Sequence, residues 1–203
     1  MSRSWRAAVA STGGLTLLAL VAGCAGLHSN RAVTQTYVLA PPAASAPAGP
    51  PGAVTLQVLR PLAAPGLDTD QIALLRAGQR LDYYAASRWP AALPDLLQTL
   101  AVDALRTSGR FRAVQPDATA FAADDVLQIE IRHCEAVYAA EAAPVVRVEL
   151  LATLGHQGDR ALIGTVSAAS EIPAGANRMQ AVVAAFQEAV NRALAQLAAG
   201  LAP

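Results

Sequence analysis

The chain has no lysine, so arginine carries all of its positive charge, and the formal net charge is zero. A nucleic-acid-binding domain normally shows a clustered basic face. This balance supplies none, and nucleic acid is excluded as a partner. Cysteine is nearly missing, with 2 in 203 residues, too few for the disulfide framework of a small secreted scaffold. The three histidines, His28, His133 and His156, are scattered, and no two have the spacing of metal ligands. There is no G-x-x-x-x-G-K-S/T loop to cradle the phosphates of ATP, and no G-x-S-x-G elbow to present a nucleophilic serine. Aromatic residues are only 4% of the chain. Hydrophobic residues reach 54%, but much of this is alanine, so a core has to come from Leu, Val and Ile. No apolar run reaches the about 20 residues that carry a helix across a bilayer.

What is present begins with Arg3 and Arg6, an apolar segment from Leu15 to Val21 broken by Thr16, and then Ala22-Gly23-Cys24. A basic start, a short apolar middle and small residues before a cut describe a secretory leader. The junction Leu20-Val21-Ala22-Gly23-Cys24 resembles the lipobox of bacterial lipoproteins. That resemblance implies that residues 1–23 are removed and that Cys24, joined through its thiol to a diacylglycerol, becomes the acylated first residue. This covalent lipid is the one non-protein group expected, with no other cofactor and no metal. Each buried methylene contributes about 0.8 kcal/mol, and a single acyl chain holds only marginally. The two or three chains of a lipoprotein hold firmly. Position 25 is Ala and not Asp, which by the same resemblance points to the outer membrane, with the body facing the periplasm. With Cys24 a thioether, Cys134 has no disulfide partner in the chain and reads as a small buried hydrophobe.

Residues 24–53 read as a tether and spacer. Ala25 to Thr36 is polar and unpatterned, and its 12 residues span at most about 40 Å. Tyr37-Val38-Leu39 offers a short strand, and whether it joins the sheet is open. Ala40 to Ala53 is rich in Pro, Ala and Gly, the composition of an extended spacer. The folded domain is expected over 54–199. Val54, Leu56 and Val58 alternate with Thr55 and Gln57, as a half-buried strand requires, and Pro65-Gly66-Leu67-Asp68 has turn chemistry. Gln71 to Arg76 and Arg80 to Tyr84 flank a glycine-containing gap, the mark of a hairpin. From Pro94 to Ser108, Leu93, Leu96, Leu97, Leu100, Ala104 and Leu105 recur at helical spacing, with Pro94 in the first turn and Gly109 as the stop.

Phe111 to Val114 predicts a short strand. Leu127, Ile129 and Ile131 alternate with polar neighbours until His133-Cys134-Glu135, where a bulge or a strand end is expected. Val146 to Leu154 and Ala161 to Ser170 supply two more strands around the Gly155–Asp159 turn. A closing helix carries Met179, Val182, Val183, Phe186, Val190, Leu194 and Leu197 on one stripe, with Gln180, Gln187, Glu188 and Arg192 opposite. The pattern predicts an α+β fold, an antiparallel-rich β-sheet with two main helices packed on one face, preceded by a lipidated flexible tether.

This arrangement resembles the ABC-type transport auxiliary lipoproteins, the family that includes the lipoprotein of the paraquat-inducible operon. The resemblance runs from Tyr37 to about Leu197. It rests on Tyr37-Val38-Leu39, Pro65-Gly66-Leu67-Asp68 before Gln71–Arg76, Tyr83-Tyr84 with Arg88-Trp89-Pro90, the leucine helix and Gly109-Arg110-Phe111. It implies a noncatalytic outer-membrane adaptor for a system in which an inner-membrane permease and ATPase work with an MCE-domain protein that moves lipid across the periplasm. The expected partners are the membrane, held through the acyl anchor, and that MCE-domain protein with its permease and ATPase. A homo-oligomer is also left open. Two other readings stand beside it: a lipoprotein regulator of an envelope enzyme such as a peptidoglycan synthase, and a lipid-binding chaperone with a Leu- and Val-lined cavity.

The residues offer little catalytic chemistry. His133 and Cys134 are adjacent in a strand and point to opposite faces, so they do not converge on one ion. Asp124-Asp125 reads as a loop and the solvated start of a strand, and Asp68 and Asp70 as turn residues. Tyr83, Tyr84 and Trp89 stand within seven positions of one another, beside Arg88. Trp89 reads as a cap on the core where the leucine helix begins. The sharper reading makes Tyr84, Arg88 and Trp89 a partner contact, since exposed aromatics and arginine are common interface anchors.

Overall fold

Helix α1 (Leu93–Ser108) follows from its spacing. Leu93, Leu96, Leu97, Leu100 and Leu105 are all buried, Pro94 sits in the first turn, and Gly109 ends the helix in the left-handed region at φ 68°. Helix α2 (Met179–Gly200) buries Val182, Phe186, Val190, Leu194 and Leu197, with Ala185, Ala189 and Ala193 between them. These small residues let the helix lie close to the sheet. At Gly200 a Cβ would come within 2.7 Å of the Val166 side chain.

The computed structural model describes residues 33–41, 52–139 and 142–201. Cys24 and the leader lie outside the described residues, as does most of the Pro/Ala-rich spacer. Residues from Thr34 onward belong to one unit.

Strands β7 (Asp125–Val137), β8 (Val145–His156) and β9 (Leu162–Pro173) form an antiparallel meander. Leu127, Ile129, Ile131, Val146, Val148 and Leu150 turn to the buried face. The lapse in alternation is a bulge, because the β7–β8 register shifts between Ile131 and His133. It lets β7 continue with Cys134 and Ala136 inward. The outer edge of β9 is partly covered by α2, where Gln196 Oε1 accepts the Ala169 N–H at 3.0 Å. A capped edge offers less main chain to a stray strand.

The other half of the sheet is assembled from short pieces. Strands β2 (Thr55–Val58), β3 (Leu62–Ala63) and β4 (Gln71–Arg76) each run parallel to β7, and β6 (Ala113–Pro116) runs parallel to β2. Strand β5 (Arg80–Arg88) is antiparallel to β4 and pairs at its far end with β1 (Gln35–Thr36). The α+β class and the dominant antiparallel meander agree with the sequence pattern. The parallel pairings and β3 do not follow from it, since no local turn specifies a parallel partner. α1 packs against β2 and β6, α2 against β8 and β9, and the two helices meet.

The segment left open in the sequence is docked. Its strand pairing falls at Gln35–Thr36, Tyr37 donates its N–H to the Arg88 carbonyl at 2.8 Å, and Leu39 is 2% exposed. The body therefore includes Gln35–Ala40 in addition to the expected span.

Candidate contact surface

The sequence-predicted cluster sits where β5, already paired with β4, gains β1 as a second partner. Ala73 pairs with Tyr83 but Gln71 pairs with Arg88, so the intervening residues bulge, with Ala86 at φ 50°. Past the bulge β5 lies between two strands, with Arg88 opposite Gln71 of β4 on one side and Thr36 of β1 on the other. Tyr83 and Tyr84 leave the strand in different directions. The Tyr83 hydroxyl donates to the Gly66 carbonyl at 2.8 Å. Tyr84 meets Tyr138, with hydroxyls 2.9 Å apart and ring centroids 6.4 Å apart. Tyr138 in turn donates to Asn177 Oδ1 at 2.9 Å. Burial, then the bond to Tyr138, push the Tyr84 phenol above its ordinary range. Tyr84 ties the bulge to the turn before α2.

Trp89 is 2% exposed and meets Phe186 edge-on, with centroids 5.4 Å apart. Its main-chain N–H donates to the Asp70 carbonyl at 2.8 Å. It is a core residue at the start of α1, so its ring is not on a surface. Arg88 is exposed, with Asp70 Oδ2 3.7 Å away. Of the three partner-contact candidates, Arg88 faces solvent, Tyr84 is half-buried and Trp89 is enclosed. They do not form one patch.

Beside Arg88 lies the docked N-terminal segment. Gln187 Oε1 accepts the Ala40 N–H at 2.7 Å, and Gln187 Nε2 donates to the Ala40 carbonyl at 2.9 Å. Asn191 Oδ1, one turn on, accepts from the same Nε2 at 3.1 Å. Helical periodicity places Gln187 on the solvent face and gives no sign of this clamp. The only cue is that an amide side chain can satisfy a main-chain N–H and carbonyl together.

Two histidine–carboxylate pairs lie on the meander, the first on the sheet face away from the helices. His133 Nδ1 lies 2.8 Å from Glu135 Oε1, and Glu135 Oε2 accepts the Cys134 N–H at 2.7 Å. Glu135 is 4% exposed. Arg147 Nε lies 3.7 Å from it, buried and without a hydrogen bond. The Cys134 side chain points inward, and burial, aided by the Glu135 charge, pushes its thiol well above the ordinary range. A thiol held protonated is a poor nucleophile.

The second pair is His156 Nδ1 to Asp125 Oδ1 at 2.7 Å, across the β7–β8 register. Asp125 is buried at 3% exposure, which corrects the expectation of a solvated strand start. Strand alternation puts Asp125 in step with Leu127 and Ile129 on the buried face, where His156 partners it from β8. Asp124 does stay exposed, accepting from the Thr55 N–H and facing Arg112. Near His156 an open groove of about 440 Å³ is floored by Leu59 and Val126 and edged by Gln128, Thr153 and Arg160. Among the described residues no group of three His, Cys, Asp or Glu side chains could hold a metal ion.

The body is thus a helix-backed sheet with a docked N-terminal segment. The chain belongs to the family of ABC-type transport auxiliary lipoprotein components, whose model matches residues 37–198. It is therefore a lipoprotein-family auxiliary component of an ABC-type transport system. The chain is similar to the crystal structure of protein XCC0632 from Xanthomonas campestris, at 27% identity and TM-score 0.73, covering 81% of this chain and 92% of that one. It also shares the fold of a crystallised uncharacterized protein at 16% identity and TM-score 0.62, over 82% of this chain and 97% of that one. No curated protein matches the chain.

Proposed function

We propose that this protein is a noncatalytic lipoprotein of the outer membrane, acylated at Cys24. There it serves as the periplasmic adaptor of an MCE-type ABC lipid transport system and supports envelope integrity. The observation that carries the reading is the extent of the family match, from the docked segment at Tyr37 to the end of α2. A lipobox-like Cys24 stands just ahead of it. The helix-free face of the sheet and the exposed Arg88 are the surfaces available for the MCE-domain protein or for a further copy of the chain. The open groove beside His156 is a surface feature, which favours an adaptor over a chaperone that encloses lipid.

Affinity purification from native membranes after cross-linking tests this. The MCE-domain protein, permease and ATPase are expected with the bait, and the N-terminal peptide is expected to carry acyl chains on Cys24 by mass spectrometry. Recovery should fall for Arg88→Ala while the protein stays folded. An unmodified Cys24, or a bait that brings down none of the three, overturns the reading.

A further inference from the structure

We infer that β9 is a dimerisation edge: its uncapped stretch, residues 162–167, pairs antiparallel with the same stretch of a second copy of the chain. Among the described residues β9 pairs with β8 alone. α2 reaches the other edge at Ala169, where Gln196 takes the main-chain N–H. Ahead of that point Leu162 is 68% exposed and Ile163 39% exposed, and Thr165 and Ser167 are exposed as well. The Ala169 N–H points outward, and main-chain groups alternate in direction along an antiparallel strand. The register is unbroken from Gly164 to Pro173, so Thr165 and Ser167 also turn their N–H and carbonyl groups out. Pro173, with no N–H to give, falls in the same outward set.

Open edges are normally guarded by charged side chains or proline. In the meander the charges stand on the inner strands instead. β7 carries Glu130, Arg132 and Glu135, and β8 carries Arg147 and Glu149, while Ala161 to Ser170 has neither a charge nor a proline. Every copy presents this same neutral edge, and a two-fold axis covers it on both copies at once. The flanking charges set the direction. Arg160 stands just ahead of the neutral stretch and Glu171 just behind it, and neither forms an ion pair among the described residues. The neighbouring Asp159 is turned back onto the Ala161 N–H at 3.0 Å. Antiparallel pairing about Thr165 sets Ile163 opposite Ser167 and brings the Arg160 end of each strand to the Glu171 end of the other. Parallel pairing would bring like charges together, which opposes association.

The test is sedimentation equilibrium of the full processed chain in density-matched detergent, where the wild type is expected as a dimer. Thr165→Pro removes an outward N–H and no bond to β8. Ser167→Lys places a charge on the edge and leaves the main chain as it is. Each is expected to weaken dimerisation about tenfold or more, with Tm within about 2 °C of the wild type. Arg160→Glu and Glu171→Arg are each expected to weaken it less, and the two together to restore it, since the exchange keeps opposite signs facing. A wild type that stays monomeric overturns the inference. So does a dimer that survives both edge substitutions, because it then uses another face. A double exchange that fails to restore the dimer overturns the antiparallel pairing. No transport partner enters the measurement, so its failure leaves the adaptor reading standing.

Discussion

The meander and the half built from short pieces are held by different means. β7, β8 and β9 are strands of 13, 12 and 12 residues, paired along nearly their whole length. On the other side β2, β3 and β4 have 4, 2 and 6 residues and reach β7 only in places. Side chains bridge what the main chain leaves unpaired. Arg60 joins Asp68 at 2.8 Å and Asp95 at 2.6 Å, and its N–H donates to Asp117 Oδ2 at 3.0 Å. Gln98 Nε2 donates to the Val58 carbonyl and to Asp117 Oδ1 at 3.0 and 2.9 Å. The meander is a ladder; the other half is a set of side-chain ties around turns.

The largest break in this comparison is expected at the seam between the two. Trp89→Ala removes the ring that packs on Phe186 and should cost about 3–5 kcal/mol, read from the urea midpoint. Trp89→Phe should recover part of that loss. An effect on binding with no loss of stability would restore Trp89 as a contact residue. Next is the ladder's own polar weak point. Glu135→Gln leaves Arg147 Nε buried beside a neutral amide and should cost about 1–3 kcal/mol, since part of Arg147 still reaches solvent. A cost below that range would mean that water already satisfies Arg147.

The smallest effect sharpens the contrast through pH. Hydrogen bonding from Arg60 holds the Asp68 carboxyl below its usual range, and Gln98 with the Arg60 N–H does the same for Asp117. A depressed carboxylate stabilises the fold above the ordinary carboxylate range, and that share is lost as pH falls through the lowered value. Arg60→Ala should therefore lower Tm slightly at neutral pH and flatten the fall in Tm on acidification. Exposed pairs are screened, so high salt should shrink the difference. Wild type and variant that lose Tm in parallel below pH 4 would remove Arg60 from the acid response.

The same contrast decides what the sequence makes legible. Period-3.6 stripes in α1 and α2 and period-2 alternation in β7 and β8 announce themselves, because burial on one face imposes them. Gly109 and Pro94 mark the ends of a helix for local reasons. Nothing local marks Leu62-Ala63, whose partners are Glu130 and Ile131. Asp125 looks solvated until His156 is brought across from it, and Gln187 looks idle until Ala40 arrives beside it. Trp89 is readable as a core cap, yet its ring partner Phe186 lies almost a hundred positions away. Residues whose environment is made by distant chain segments carry their role in three dimensions only.

Cys134 adds a practical property to this body. Its sulfur is shut in at 2% exposure and kept in the unreactive form. Alkylating reagents do not reach this thiol while the fold is intact. Modification of Cys134 then becomes a built-in clock for global opening.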